Sequence, residues 1–180
     1  MQRVWDRLVY RSEPPAPSGY PQAAVLAALY EDESGRIRMV LTKRPDTMPT
    51  HAGHVAFPGG RPDPGDAGPV DTALREAEEE VGIDPRTVEV LGFLPEVNTV
   101  SYSLMVVPVV GRLPAPPLLV PDEREVVRVY HPLVTDLADD GRWRFEDWKG
   151  RKVWFYDLEG DMLWGATAWM IRNLLGLEVA

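Results

Sequence analysis

One acidic segment, between a proline and a glycine, constrains the fold of this chain more than any other feature. Apolar residues recur at helical spacing over 70–81, Pro69 suits the first turn of a helix, and Gly82 suits its end. The spacing therefore predicts an amphipathic helix over 69–81.

Three carboxylates of this helix share one stripe. At about 100° per residue they fall together at the edge of the apolar side: Glu76, Glu79 and Glu80. Like charges at these spacings repel each other, and a divalent cation such as Mg²⁺, which binds carboxylate oxygens, would relieve that repulsion. The alternative is a solvated acidic side of a helix, which the run of glutamates alone would favour. Only the surrounding sequence distinguishes a cation site from a solvated side of the helix.

Composition limits the class of protein. A chain of 180 residues fits one domain, taken as 1–180 with 1–22 as an N-terminal arm. The absence of cysteine excludes disulfides, a thiolate nucleophile and cysteine-ligated zinc. A net charge of -9 argues against a surface that coats nucleic acid. Neither a signal peptide nor a membrane-spanning run is evident, so we expect a cytoplasmic protein without a membrane partner.

The order of predicted elements indicates an α/β (α+β) domain with a mixed sheet covered by helices. Strands are predicted at 23–30, 37–41, 55–57, 88–93, 104–110, 125–130, 142–145 and 153–156. A helical turn is predicted over 133–138. A second packed helix is predicted over 164–175, with Trp164, Trp169 and Leu174 in the core.

The segment 60–83 resembles the Nudix box, the signature of the Nudix hydrolases: a glycine, a spaced acid, then Arg-Glu-apolar-x-Glu-Glu-x-Gly-apolar. The second half is complete from Arg75 to Ile83. In the first half, Gly60 stands one residue further from Arg75 than usual, and Asp66 stands where the family generally has glutamate. The resemblance implies that Asp66 braces the loop and the arginine. It also implies the Nudix fold, a mixed β-sheet sandwiched between α-helices.

Nudix hydrolases cleave nucleoside diphosphates linked to another group, using Mg²⁺ or Mn²⁺ and an activated water. By this resemblance the metal ligands are the carboxylates of the stripe and one carbonyl: Glu76, Glu79, Glu80 and Gly60. The same three glutamates are then the catalytic residues, with Glu79 the first candidate for the general base. Three glutamates outside the box are alternative bases: Glu96, Glu123 and Glu125. Glu78 is expected to be solvated.

The segment before the box resembles the motif of the coenzyme A pyrophosphatase branch, roughly Leu-Thr-x-Arg-Ser and then Arg-x-x-x-Gly-x-x-x-Phe-Pro-Gly-Gly. Residues 41–44 and 53–60 keep most of it, but Pro45 replaces the serine and Pro49 falls where the second arginine is expected. The implied substrate contacts are Lys43, Arg44, Arg61, Gly59 and Gly60. The implied reaction cleaves the pyrophosphate of coenzyme A or a derivative to 4′-phosphopantetheine and adenosine 3′,5′-bisphosphate.

Other functions stay open beside that reaction. Pro49 lacks the guanidinium that suits bidentate phosphate recognition, so ADP-ribose, a dinucleotide or a nucleoside triphosphate are alternative substrates. A non-catalytic nucleotide-binding module is a third reading, against which the intact carboxylates argue. In each case the partner is a small nucleoside diphosphate-linked molecule, and a homodimer is left open.

Neighbouring side chains are assigned structural or positioning roles. Arg75 lies close to Glu79 on the helix, which favours a local ion pair over a phosphate contact. His51 and His54 are three apart in a loop without a thiol partner. That arrangement favours a turn-stabilising or substrate-positioning role over zinc binding.

Overall fold

The computed structural model describes residues 2–16, 22–47, 51–99 and 104–179. In chain order its strands are β1 Gln22–Glu31, β2 Ile37–Met39, β3 Leu41–Lys43, β4 Val55–Ala56, β5 Gly59–Gly60, β6 Glu89–Phe93, β7 Val97–Asn98, β8 Met105–Arg112, β9 Arg128–Tyr130, β10 Trp143–Trp148, β11 Arg151–Leu158 and β12 Asp161–Trp164. Its α-helices are α1 Gln2–Trp5, α2 Pro69–Val81, α3 Val134–Leu137 and α4 Gly165–Leu174.

A mixed six-stranded sheet lies at the centre, with the order β2-β1-β8-β6, β5 paired to β1 and β7 paired to β8. Strands β1 and β8 run parallel, from the pair Gln22–Met105 to the pair Leu29–Arg112. The other pairs are antiparallel. Two three-stranded sheets, β4-β3-β9 and β10-β11-β12, complete the architecture.

Strand β1 separates two hydrophobic clusters because its successive side chains point to opposite sides of the sheet. On one side Ala24, Leu26 and Ala28 pack with Ala73, Ala77 and Val81 of α2. On the other side Ala23, Ala27 and Leu29 belong to the cluster that contains Ala168, Ile171 and Leu174 of α4. Helices therefore cover both sides of the sheet, which confirms the predicted mixed sheet between helices.

Most predicted elements are present, with shifted bounds. The hairpin of β10 and β11 turns at Lys149 and Gly150, whose φ angles of 56° and 78° suit such a turn. The strand predicted over 37–41 is divided, because Leu41 leaves the central sheet and pairs with Tyr130 of β9. The strand predicted over 125–130 covers only β9.

The predicted helical position of Trp164 is wrong. Trp164 ends β12, where it pairs with Phe155, and the helix begins at Gly165, whose φ is 65°. Trp164 also belongs to neither hydrophobic cluster. Trp169 packs against the core and Leu174 is fully buried, as predicted. Within the described ranges, no helix is both long and apolar enough to cross a membrane.

Arg172 of α4 is a fully buried cation that holds the C-terminal segment in place. Its guanidinium lies 3.4 Å from the centre of the Trp154 ring, its Nε donates to the Glu178 carbonyl at 2.7 Å, and its Nη2 contacts Asp140 at 2.8 Å. The charge is thus balanced by an aromatic ring and two oxygen acceptors.

We expect Arg172→Ala to lower the free energy of unfolding by about 2–4 kcal/mol, because it leaves a cavity and removes these contacts together. Arg86→Ala is the control, since the Arg86 side chain is 88% exposed and its ion pair joins it to Asp84, two residues away. That variant should change stability by less than about 0.5 kcal/mol. Urea unfolding followed by circular dichroism measures both, and equal losses would contradict the role given to Arg172.

Candidate active site

Helix α2 carries the acidic stripe, and both of its ends are formed as the sequence predicts. Pro69 occupies the first turn. Gly82 adopts φ 74°, and the amides of Gly82 and Ile83 donate to the carbonyls of Glu78 and Ala77 at 2.9 and 3.3 Å. These two bonds end the helix in the manner typical of a left-handed glycine.

The glutamates of the helix differ in exposure. The side chain of Glu80 is 4% exposed, that of Glu76 is 15% exposed, and that of Glu79 is 56% exposed. Glu78 is exposed, as predicted. The stripe therefore runs from the buried core edge at Glu80 to solvent at Glu79.

Arg75 forms the predicted local ion pairs. Its Nη1 contacts Glu76 at 2.9 Å and Glu79 at 3.2 Å, while its Nη2 donates to Asp66 at 3.0 Å. Asp66 also accepts from the Thr72 hydroxyl at 2.8 Å and the Asp63 amide at 2.9 Å. These hydrogen bonds, that from Arg75 above all, hold the pKa of Asp66 well below its usual range. The brace expected of Asp66 is confirmed.

Strand β5 places two glycines directly against this helix and β1. A Cβ at Gly60 would lie 2.4–2.5 Å from the Glu76 carboxylate, and a Cβ at Gly59 would lie 2.4 Å from the Ala24 carbonyl. Only glycine allows so close an approach at these two positions. The Gly59 amide also donates to the Glu80 carboxylate.

Glu80 is a buried carboxylate that lies near the Arg44 guanidinium. The Arg44 Nη1 lies 3.8 Å from its Oε1. Burial raises the pKa of Glu80 to about 8, Arg44 opposes that rise, and the charges of Glu125 and Glu76 add to it. Burial likewise raises the pKa of Glu76, although its bond to Arg75 opposes the rise.

The predicted substrate contacts occupy different places. Arg44 faces the carboxylates, but Lys43 points to the other side of the β3–β4 ladder, where its Nζ contacts Asp161 at 2.7 Å. A phosphate contact by Lys43 stays a prediction that would require this ion pair to break. The Arg61 side chain is exposed, and its carbonyl accepts from Arg75 at 2.9 Å. Pro49 lies outside the described residues.

The side chains near α2 fit a hard divalent cation in chemistry. Carboxylate oxygens and a backbone carbonyl are donors that Mg²⁺ and Mn²⁺ accept. The absence of a side chain at Gly60 leaves space beside Glu76. Over the described ranges no group of three or more acidic or histidine side chains stands ready-made for an ion. Arg75 forms ion pairs with Glu76 and Glu79. These two carboxylates would have to turn from Arg75 to bind a metal ion.

Of the alternative bases, Glu125 is the one whose charge acts on both Glu76 and Glu80. Glu123 is exposed. Glu96 has a buried carboxylate oxygen for which the described residues supply no hydrogen-bond partner. Glu125 reaches the helix because the Asp122 amide donates to the Glu80 carbonyl at 2.9 Å. Local sequence could not single out Glu125, because this loop meets α2 only in the folded chain.

Comparison with known proteins agrees with this geometry. The NUDIX domain profile matches residues 20–157. The chain is 42% identical over 158 residues to the chloroplastic Nudix hydrolase 22 of Arabidopsis thaliana, covering 82% of this chain and 52% of that protein. It is 39% identical over 157 residues to NudL, an uncharacterized Nudix hydrolase of Citrobacter koseri, covering 85% and 80% of the two chains. The chain spans about half of the plant relative but most of the bacterial one.

A solved structure shares the fold. The Nudix hydrolase RenU of M. smegmatis has a TM-score of 0.56 and 24% identity, covering 66% of this chain and 74% of that one. The chain belongs to the Nudix hydrolase family. It is therefore an enzyme of a class that generally uses divalent metals such as Mg²⁺ or Mn²⁺ and acts on small nucleoside diphosphate-linked substrates.

We expect Gly60→Ala to displace the Glu76 carboxylate and to weaken Mn²⁺ binding by about tenfold or more, with the fold retained. Gly59→Ala should instead cost about 1–3 kcal/mol of stability, because its methyl would meet backbone atoms that cannot move away. Gly65→Ala is the control, since an added Cβ there has no neighbour within 4 Å. Calorimetric titration with Mn²⁺ and thermal unfolding measure the two effects. Unchanged Mn²⁺ affinity in Gly60→Ala would contradict the placement of the ion.

Proposed function

We propose that this protein hydrolyses the pyrophosphate of coenzyme A or a derivative to 4′-phosphopantetheine and adenosine 3′,5′-bisphosphate, with Mg²⁺ or Mn²⁺ as cofactor. The observation that carries the proposal is the arrangement of Glu76 and Glu80 beneath the Gly59–Gly60 strand, with Arg44 beside them. The spacing of residues 53–60, which resembles the coenzyme A branch, supports the choice of substrate.

Different residues of the site would bind the metal and the phosphate in such a reaction. Glu76, Glu79, Glu80 and the Gly60 carbonyl would hold the ion, which when bound neutralises phosphate charge and lowers the pKa of a water. Arg75, which Asp66 braces, pairs with Glu76 and Glu79 until these carboxylates turn to the ion. Arg44 is placed to bind a phosphate, because its guanidinium is half-buried and its Nε has no hydrogen-bond partner in the described chain.

Glu79 is our first choice for the general base. It is the most exposed of the three stripe carboxylates, so a water molecule and a substrate can reach it. The Arg75 Nη1 lies 3.2 Å from this carboxylate, and Glu79 would turn from it to meet the water.

The direct test is incubation of the purified protein with coenzyme A and Mg²⁺ or Mn²⁺, followed by mass spectrometry. The two named products are expected. ADP-ribose, a dinucleotide and a nucleoside triphosphate should each give a lower kcat/KM than coenzyme A. Higher turnover of one of these would assign the protein to that substrate, and Pro49 would then mark the loss of a coenzyme A contact.

Glu79→Gln and Glu80→Gln should each lower turnover by on the order of 100-fold or more, because each removes a ligand charge or the base. Glu78→Gln is the matched control: it makes the same change on the solvated side of the same helix and should leave turnover intact. Circular dichroism checks that the fold is retained. Normal turnover in both Glu79→Gln and Glu80→Gln would refute the assignment of the site.

Glu125→Gln should lower turnover by less than about tenfold, because it removes a charge near the ion but not the base. The neighbouring variant Glu123→Gln should have no effect. The size of the loss separates the two candidate bases: kcat should fall at least about tenfold further in Glu79→Gln than in Glu125→Gln. The opposite pattern would transfer the role of base to Glu125.

A further inference from the structure

Three aromatic side chains form a cluster on the side of the β10-β11-β12 sheet that faces away from the hydrophobic core. Phe155 and Trp164 stack with ring centres 6.1 Å apart and planes 8° from parallel. Trp148 lies 6.3 and 6.0 Å from these two rings. Phe155 is only 8% exposed, yet it belongs to neither hydrophobic cluster. Trp148 remains 44% exposed, so the aromatic cluster presents ring surface to solvent.

His54 connects the aromatic cluster to the candidate active site. Its ring lies 5.1 Å from that of Trp164. The His54 carbonyl accepts a hydrogen bond from the Arg44 amide at 3.0 Å, which extends the β3–β4 ladder by one pair. Residues paired directly across an antiparallel ladder point to the same side. Arg44 therefore lies between the aromatic cluster and Glu80, which is 3.8 Å from its guanidinium.

This order of groups suits one kind of ligand. The chain carries a net charge of -9, so an anionic ligand is held only where a cation is available, and Arg44 is such a point beside the carboxylates. A phosphate at Arg44 would have the carboxylate stripe on one side and the aromatic cluster on the other. A planar group attached to that phosphate would thus meet the rings.

We propose that Trp148, Trp164 and His54, with Phe155 behind them, form the subsite for the planar base of the substrate's nucleoside. Stacking on aromatic rings accepts any base and strengthens binding by roughly 5- to 150-fold for each base. The inference rests on the proposed function only in that the substrate carries a nucleoside, whatever group is linked to it. His54 then serves as a positioning residue, as the loop sequence suggested.

The test compares AMP with ribose 5-phosphate, which has the same phosphate and sugar but no base. Both are titrated into the protein with Mg²⁺, and dissociation constants are read from two-dimensional ¹H–¹⁵N spectra. AMP should bind about tenfold more tightly than ribose 5-phosphate. It should shift the indole resonances of Trp148 and Trp164 but not that of Trp143, whose Nε1 donates to the Leu137 carbonyl in the core.

Trp148→Ala should remove most of the preference for AMP, and Trp148→Phe should restore it. Phe145→Ala is the matched control, because Phe145 lies on the same strand, points to the opposite side and is 52% exposed. It should bind AMP as the wild type does. Equal affinities of the wild type for the two ligands, or equal losses in Trp148→Ala and Phe145→Ala, would overturn the subsite.

A second copy of the chain is the other partner that would cover an exposed aromatic surface. Light scattering, which measures the mass in solution, detects such a dimer. If Trp148→Ala converts a dimer to a monomer and leaves AMP affinity unchanged, the subsite is refuted. Cleavage of coenzyme A tests the proposed function separately. If coenzyme A is not cleaved but AMP binding depends on Trp148, only the choice of substrate fails. If coenzyme A is cleaved and the AMP affinity of Trp148→Ala equals that of the wild type, only the subsite fails.

Discussion

The close packing of helix α2 on strand β1 sets the position of every group in the candidate site. Ala73 and Ala77 have no exposed surface and no side chain beyond Cβ, so the helix lies directly against Ala24 and Ala28. At this separation the Glu76 carboxylate reaches Gly60, where one added methyl group would overlap it. The chemistry of the site therefore depends on small residues that take no part in it.

The charges of the site work against stability and in favour of cation binding. Burial raises the pKa of Glu80 to about 8, and among the described residues its ion-pair partner is Arg44, 3.8 Å away. A buried carboxylate without a full counter-charge costs free energy, and such groups are concentrated at functional sites. Arg75 balances the exposed end of the stripe instead, where it pairs with Glu76 and Glu79. The carboxylate that lacks a full counter-charge lies at the buried end, where an ion would be shielded from water.

Features that rest on neighbouring residues could be predicted from the sequence. The helix over 69–81 and its glycine end depend on local backbone preference and periodicity, and both are present. The short strands β5, β7 and β12 could not be predicted, because two to four residues carry no periodicity and form only against a partner. Trp164 has helix-like spacing in the sequence, but in the fold it belongs to β12 and pairs with Phe155 of β11. The helix prediction fails at Trp164 for the same reason.

By itself, the sequence determined the family, the carboxylate stripe and the brace between Asp66 and Arg75, because those depend on fixed spacings within one loop and one helix. Only the tertiary structure decided which charges meet. It turned Lys43 toward Asp161 and Arg44 toward Glu80, since alternate residues of a strand point to opposite sides. It also brought Glu125 to the helix and the Trp148 cluster to His54. These contacts join segments that are far apart in the chain, and the spacing of residues along a sequence does not show which distant segments lie close together in the fold.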